Sequence, residues 1–569
     1  MKKYQIHEKN EFQNVRHLVE WAGEKYADLT AYSFIKDIRD RKNPEKIKKS
    51  FRELRDDVRA LGSKLLDMGL AGKHVALIGK MSYDWARVYF SVLSIGAVLV
   101  PLDRDWQAED LADTVKKADV SLLIADADIW DKAKLIAESA ELEYAPVCIG
   151  EGSDAEADIA ALTAEGMAIY GANPSAFDSA EIDPNALALL VFTSGTTGKG
   201  KGVMLSQNAV LSDMSDVIPY IDFADKTVGV LPPHHTYGSS VMFIGHMMIG
   251  TEIYISAGLR YVSDELKAES PGHLILVPLY LETFYRKIQA NIKKQGKEKL
   301  VANMMKLTKF LRKIGIDIRK LVFKEIRAAF GGKVKMIISG GAPINPEIID
   351  FFEGIGIKTL NGYGITECAP IIAVNRSRHV VKGSVGSVLD IDTVRIDEPN
   401  EDGEGEILVK GPNVMLGYYK DEETTAEAMT EDGYFRTGDY GKLTGDGILY
   451  ITGRKKNLII LSNGKNVYPE EIENELIATP GILEIIVYEG KSRRGMEHNA
   501  IVAEIYPDGE YIKKNGIENV YDYLHGYIEE YNKTAVPYKK ITVLKVREDE
   551  FPKNTLRKIM RFKIDMSID

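Results

Sequence analysis

Residues 193–202 read TSGTTGKGKG: four glycines, four hydroxyl side chains, two lysines and no apolar group. The run is enclosed by ALALLVF at 186–192, an unbroken apolar stretch that reads as a buried strand, and by GVML at 202–205, which returns at once to apolar residues. A loop in that position turns between buried elements, and it does so with the residue type that loses most backbone entropy on ordering. Backbone N–H groups bared by glycine, hydroxyls and ammonium groups all donate hydrogen bonds, and together they suit a polyanion such as a run of phosphates. A flexible Gly/Ser/Thr linker is the alternative by composition. The apolar flanks speak against it.

A phosphate loop narrows the chemistry only in part. Gly195, Gly200 and Lys201 meet the first part of the Walker A pattern, with four residues between the glycines. Position 202 is glycine, however, where that motif needs a Ser or Thr hydroxyl for magnesium, and no good helix start follows. The loop belongs to another way of using a nucleotide.

At 569 residues the chain is too long for one ordinary core and reads as about three or four structural units. A formal charge of −11 argues against nucleic acid as the main partner. With only Cys148 and Cys368, neither a disulfide framework nor a cysteine-ligated zinc site is plausible, and a reducing cytoplasm fits best. The opening MKKYQIHEKNEF has no apolar run behind its basic residues, so no signal peptide is expected. The most apolar stretch, residues 88–102, is too short to span a bilayer and carries Gly96 and Pro101; it reads as a buried helix running into a buried strand.

Helical and strand patterns alternate through residues 50–105, and strand signals recur at 74–79, 120–125, 186–192, 227–231, 252–255, 273–277 and 334–338. Such alternation implies βαβ units and a mainly parallel sheet with helices on both faces. From about Val381 short strands with Gly and Asp turns take over, at 405–409 and 447–451, which favours a β-rich subdomain ending near Gly453. After RKKN at 454–457 a helix opens at Pro469, where a first turn tolerates proline. The expected fold is therefore α/β: a large N-terminal body with a β-rich subdomain over 1–453, then a small α+β domain over 454–569.

Residues 286–335 carry sixteen Lys or Arg against three acids, a local charge of +13. Within them Leu300, Met304, Leu307, Leu311, Ile314, Ile318 and Leu321 follow steps of four and three, the seam of an amphipathic helix. Two readings stand: a solvated basic face over a stripe that packs on the protein's own core, or a surface that docks on anionic lipid.

Three further stretches bear on chemistry. NGYGITE at 361–367 sets an aromatic, a hydroxyl and a carboxylate in a glycine-punctuated turn, with Tyr363 suited to stack on a purine, Thr366 to donate to a phosphate and Glu367 to hold magnesium. A polar turn with a capping Glu is the alternative. YFRTGDYG brings Asp439 between glycine and aromatics, suited to ribose hydroxyls or to an Asx turn. FPKNTLRKIMR carries Lys558 in a basic tail.

Taken in order, FTSGTTGKGKGVMLS, LPPHHTYG, SGGAP, NGYGITE and the long YFRTGDYGKLTGDGILYITGRKKNLIILSNGKNVYPEEIE resemble the motifs of the adenylate-forming superfamily of acyl-CoA synthetases, adenylation domains and luciferases. The last of them, with LVFKEIRAAFGGKVKMIISGGAPI, resembles the long-chain fatty acid:CoA ligase branch, and the likeness extends over residues 51–561. The resemblance implies ATP, magnesium and coenzyme A, with a medium- or long-chain fatty acid activated as acyl-AMP and passed to CoA. It further implies that Thr193, Ser194, Gly195, Thr196, Thr197, Gly198 and Lys201 surround the phosphates. Gly341, Ala342, Pro343, Asn361, Gly362, Tyr363 and Gly364 would form the adenine site. Thr366 would contact the α-phosphate, Glu367 would bind magnesium, Asp439 and Arg454 would hold the ribose, and His235 would line the carboxylate entry. Lys456 falls at the family's hinge and Lys558 at its mobile catalytic lysine. An adenylating enzyme that loads a carrier protein is the alternative, and a catalytically silent lipid or nucleotide sensor the less favoured one. An aromatic or branched acid also stays open, and the expected location is cytoplasmic, with peripheral contact at the inner face of an anionic membrane following only from the lipid-docking reading of the basic segment. The chain departs from the family at Gly200, often Pro, and at Arg557, usually Gly.

Overall fold

The computed structural model describes residues 4–37, 44–150, 154–193, 200–461, 466–477, 479–490, 500–553 and 559–568. The apolar run before the glycine loop forms the strand Leu187–Thr193, which lies parallel to Val98–Leu102. His74–Ile78, Val120–Asp126 and Val147–Ile149 continue that sheet in parallel pairing, and their aliphatic runs are buried on both faces. After the loop the chain returns antiparallel as Lys201–Ser206, with Thr193 opposite Lys201 and Phe192 opposite Gly202. Gly417–Tyr418 completes this sheet. The loop thus joins two strands, and the helix Gln207–Val217, capped by the Ser206 side chain, begins only after the second. A Walker A loop would have led straight into a helix.

Gly96, at φ +71°, turns the buried helix Tyr83–Ser94 toward Val98–Leu102, in agreement with the reading of residues 88–102. A second sheet orders Lys46–Ser50, Thr30–Ile35, Glu252–Ile255 and Lys226–Gly229. A third starts with three parallel strands, His273–Leu276, Met336–Ser339 and Lys358–Gly364. It continues antiparallel through Ile371–Val374, Gly386–Val388, Ile448–Arg454, Phe435–Leu443, Gly405–Lys410 and Thr393–Asp397. The β-rich region is therefore joined to the parallel body by one ladder. Beyond it, Ile482–Gly490, Ala500–Pro507 and Val543–Val546 form a separate sheet, whose core of Ile472, Leu476, Val487, Ile501, Leu524 and Ile528 is shared with the helices Pro469–Leu476 and Val520–Thr534. The fold is α/β, with a large N-terminal part and a small C-terminal one. No helix among the described residues is long and apolar enough to cross a membrane.

The basic segment folds as Pro278–Lys294, Glu298–Lys313, Arg319–Val322 and Lys324–Ala328. Its inward row is Val301, Met304, Met305 and Thr308, one step round the helix from the expected seam. Of that seam Met304, Leu311 and Ile318 are half-buried, while Leu300, Leu307, Ile314 and Leu321 are exposed. The core-packing reading fails for those four: Leu300 and Leu307 lie within the helix but off its inward row, while Ile314 and Leu321 follow the helix end at Lys313 and the phase break at Gly315, at φ +83°.

His246 and His273 are buried and stacked where the second and third sheets meet. His246 Nδ1 lies 2.9 Å from the Val241 carbonyl, His273 Nδ1 accepts the Ala224 N–H at 3.1 Å, and the two Nε2 atoms are 2.9 Å apart. One neutral arrangement satisfies all three contacts: His246 carries its proton on Nδ1, and His273 donates from Nε2 to His246. Burial lowers the His246 imidazole to about 4 and holds His273 well below its ordinary value. An unfolded chain takes up protons near 6.5 that the folded one refuses. Stability present above that pH is therefore lost as pH falls toward 4, on the order of 2 kcal/mol for His246 alone at about pH 5. The urea midpoint should drop between pH 7 and about pH 5, and His246→Asn should shrink the drop. An unchanged drop in the variant would place the titration elsewhere.

Candidate active site

Parallel strands end in turns at a common edge, and in open α/β sheets that edge is where ligands bind. Met336–Ser339 runs into Gly340–Pro343, Lys358–Gly364 ends in the NGYGITE turn, and Val98–Leu102 leads to Asp103. All three border one cavity of 2620 Å³. Its wall also takes in Thr193, Lys201, His235, Gly341, Ala342, Pro343, Asn361, Gly362, Tyr363, Gly364, Thr366, Glu367, Asp439, Arg454 and Lys456, so residues far apart in sequence meet here. Ser194, Gly195, Thr196, Thr197, Gly198 and Lys558 lie outside the described residues.

Two clusters organise the cavity. In the first, Tyr363 donates its hydroxyl to Asp439 Oδ2 at 2.7 Å, and Arg454 Nε lies 3.0 Å from Asp439 Oδ1. Asp439 and Arg454 are directly opposed across adjacent strands, so the ion pair is set by register. The Asp439 carboxylate raises the Arg454 guanidinium above its ordinary value and keeps it charged. In the second, Tyr418 donates to Glu367 Oε1 at 3.0 Å, and Lys201 Nζ stands 4.9 Å from the Tyr418 ring centroid. One aromatic thus holds a cation against its ring and a carboxylate at its hydroxyl. Burial pushes the Glu367 carboxyl up, and the Tyr418 hydroxyl and Arg454 oppose that push.

The Glu367 turn is fixed by backbone. Met415 N–H donates to the Glu367 carbonyl at 2.8 Å, and Ile365 N–H to the Pro370 carbonyl at 2.8 Å. A Cβ on Gly364 would lie 2.0 Å from that same Pro370 oxygen, so the turn closes only over a glycine. Gly341, at φ +86°, makes the neighbouring turn.

His235 is half-buried, and its ring lies 4.3 Å from that of His234, which is buried with Nε2 3.6 Å from Asp103 Oδ2. Burial lowers the His234 imidazole, against the pull of Asp103 and Asp105. Sequence reasoning missed His234, Asp103 and Tyr418. Asp103 had a usable signal, a carboxylate directly after a buried parallel strand. Tyr418 had none, since its place depends on pairing with Lys201–Ser206.

Residues 19–419 match the sequence profile of the AMP-binding enzyme family. The chain belongs to that family. It is 29% identical over 517 residues to long-chain-fatty-acid–CoA ligase 1 of Cavia porcellus, which spans 84% of this chain and 72% of the relative. It is 28% identical over 471 residues to the long-chain-fatty-acid–CoA ligase FadD15 of Mycobacterium bovis, over 76% and 74% of the two. Among solved structures, the ATP-bound MatB from Rhodopseudomonas palustris superposes with a TM-score of 0.72 over 96% of this chain and 97% of that one, at 24% identity, which speaks to the fold alone. This member of the AMP-binding family is an enzyme, an AMP-forming acid–thiol ligase, as the motif resemblance implied.

Gly364→Ala tests the turn. Displacing Thr366 and Glu367 by about 1 Å should lower AMP-forming turnover by about 100-fold. Gly171→Ala, whose Cβ meets nothing within 4 Å, is the control and should leave turnover intact. Full turnover in Gly364→Ala would show that the glycine does not set the turn.

Proposed function

We propose that the protein activates a medium- or long-chain fatty acid with ATP as acyl-AMP, releasing pyrophosphate, and then passes the acyl group to coenzyme A. The observation that carries this reading is the meeting of Lys201 and Glu367 at Tyr418 in the cavity that also holds the Tyr363–Asp439–Arg454 cluster. Met81, Tyr83, Leu231 and Ile255 also line the cavity and offer apolar surface to an acyl chain, and the names of the relatives point the same way.

A carboxylate is a poor acyl donor because its leaving group would be oxide. Its oxygen instead attacks the α-phosphorus, pyrophosphate leaves, and the thiol later attacks the acyl carbon as AMP departs. Positioning and charge stabilisation suffice for both steps. In this reading Thr193 and the loop residues 194–198 donate to the phosphates, and Lys201 offsets charge on the leaving group. Thr366 contacts the α-phosphate. Tyr363 packs on adenine between the turns 341–343 and 361–364, and Asp439 receives the ribose hydroxyls beside Arg454. His235 borders the entry of the carboxylate.

Among the described residues no three His, Cys, Asp or Glu stand together as a metal cage. A single cavity-facing carboxylate still fits magnesium, which takes one or two carboxylates with the rest of its shell from water and phosphate. Glu367 would hold it, and when bound it would neutralise phosphate charge.

The division at 453/454, with Lys456 as hinge, is part of the same proposal. The cavity is walled by Glu473, Glu484 and Arg561 as well as by the larger part, so a turn of the smaller one would change which groups face the substrate. Lys558 would be needed in the adenylating orientation only. Lys558→Ala should cut ATP-dependent acyl-AMP formation by roughly 10²- to 10³-fold while still making thioester from supplied acyl-AMP and CoA. Lys456→Pro should do the reverse. Equal loss of both half-reactions in Lys558→Ala would refute alternation. Screening acids of rising length for CoA-dependent AMP release, with acyl carrier protein as competing acceptor, tests the substrate assignment; a preference for the carrier or for aromatic acids would overturn it.

A further inference from the structure

Sixteen large hydrophobic side chains are exposed among the described residues, and six of them, Leu300, Leu307, Phe310, Ile314, Ile316 and Leu321, fall in one stretch of the basic segment. Phe310 is 62% exposed and Leu321 76%. Scattered single apolar residues need no explanation, but a contiguous set does. Leu300, Leu307, Phe310 and Ile314 share one stripe by the 100° step of an α-helix, on a different side from the inward row of Val301, Met305 and Thr308. A lysine stands directly before each of them: Lys299, Lys306, Lys309 and Lys313. These four occupy the adjoining stripe and are exposed. Arg286, Lys297 and Arg319, by contrast, each lie within ion-pair distance of an acid: Glu282, Glu325 and Asp317. Apolar row and cationic row therefore run side by side along the helix Glu298–Lys313, on a chain whose overall charge is −11.

We propose that this helix docks the protein on an anionic lipid surface. The apolar row would enter the acyl boundary while the lysine stems lie along it and carry their ammonium groups to the headgroups. Charge complementarity selects the occupant: a cationic stripe on an acidic protein is drawn to an anionic interface and held off a neutral one. The orientation serves the cavity as well. Helix Pro278–Lys294, which precedes the docking helix through a turn at Gly296, lines the cavity with Leu279, Thr283 and Lys287, and Leu279 is itself exposed. The proposal does not depend on which acid the enzyme activates.

Flotation of the full-length protein with phosphatidylcholine vesicles, with and without phosphatidylglycerol, tests it. Recovery should require the anionic lipid and fall with added salt. The triple variant Lys306→Gln, Lys309→Gln, Lys313→Gln should weaken vesicle binding by roughly 100-fold. Leu307→Ser with Phe310→Ser should also weaken it, with thermal midpoint and turnover on a short soluble acid unchanged, because all five side chains are exposed. Equal recovery on neutral and anionic vesicles, or undiminished binding by both variants, would overturn the proposal. So would binding of acyl carrier protein to this face with no vesicle binding, which would assign the surface to an acidic protein.

Discussion

A segment of five residues holds the two halves of the candidate site at a fixed separation. Met415 N–H donates to the Glu367 carbonyl, Leu416 N–H to the Met204 carbonyl and Tyr419 N–H to the Gly202 carbonyl, each at 2.8 Å. The first bond grips the turn that follows the strand Lys358–Gly364 of the third sheet; the other two grip the strand that leaves the glycine loop. Each bond stabilises by only about 1 kcal/mol. Together they leave Tyr418 one position, with Lys201 at its ring and Glu367 at its hydroxyl. Without this stitch a cation on one sheet and a carboxylate on another would share a cavity without a defined distance, and charge stabilisation depends on that distance.

This explains which parts of the molecule were legible in the sequence. Buried parallel strands are runs of aliphatic residues, so the strands around Val98–Leu102 and Leu187–Thr193 could be read from composition within a short window. Gly96 and Gly341 mark turns for a similarly local reason, a backbone angle that side chains resist. The residues of NGYGITE and Asp439, which line the cavity, could be singled out because their motifs are contiguous. Tyr418 and the His234–Asp103 contact join segments far apart in the chain, and neither GYYK nor LDRD carries a local mark of its partner. The amphipathic seam failed differently. Its spacing was right for an unbroken helix, but Gly315 ends the phase, and two apolar rows on one helix cannot both face the core.

The turn that bears Glu367 has a second anchor, made of acids. Asp213, on the helix that follows the loop strand, accepts Ile371 N–H at 3.1 Å, while Asn413 Nδ2 donates to the Ile371 carbonyl at 3.0 Å and to Asp392 Oδ2 at 3.1 Å. Both backbone groups of Ile371 are thereby taken by side chains from distant segments. Burying charged carboxylates this close together is costly unless one stays protonated. Burial raises Asp213 well above its ordinary value and pushes Asp392 up to about 8. Asp392 Oδ1 and Asn413 Oδ1 both crowd Gly411, at 1.9 and 2.8 Å from where its Cβ would stand. The cluster is a clamp for which glycine at 411 provides the room. It acts on the same turn as the Met415 bond but from the opposite end, so Thr366 and Glu367 are held between two anchors while their side chains remain turned to the cavity.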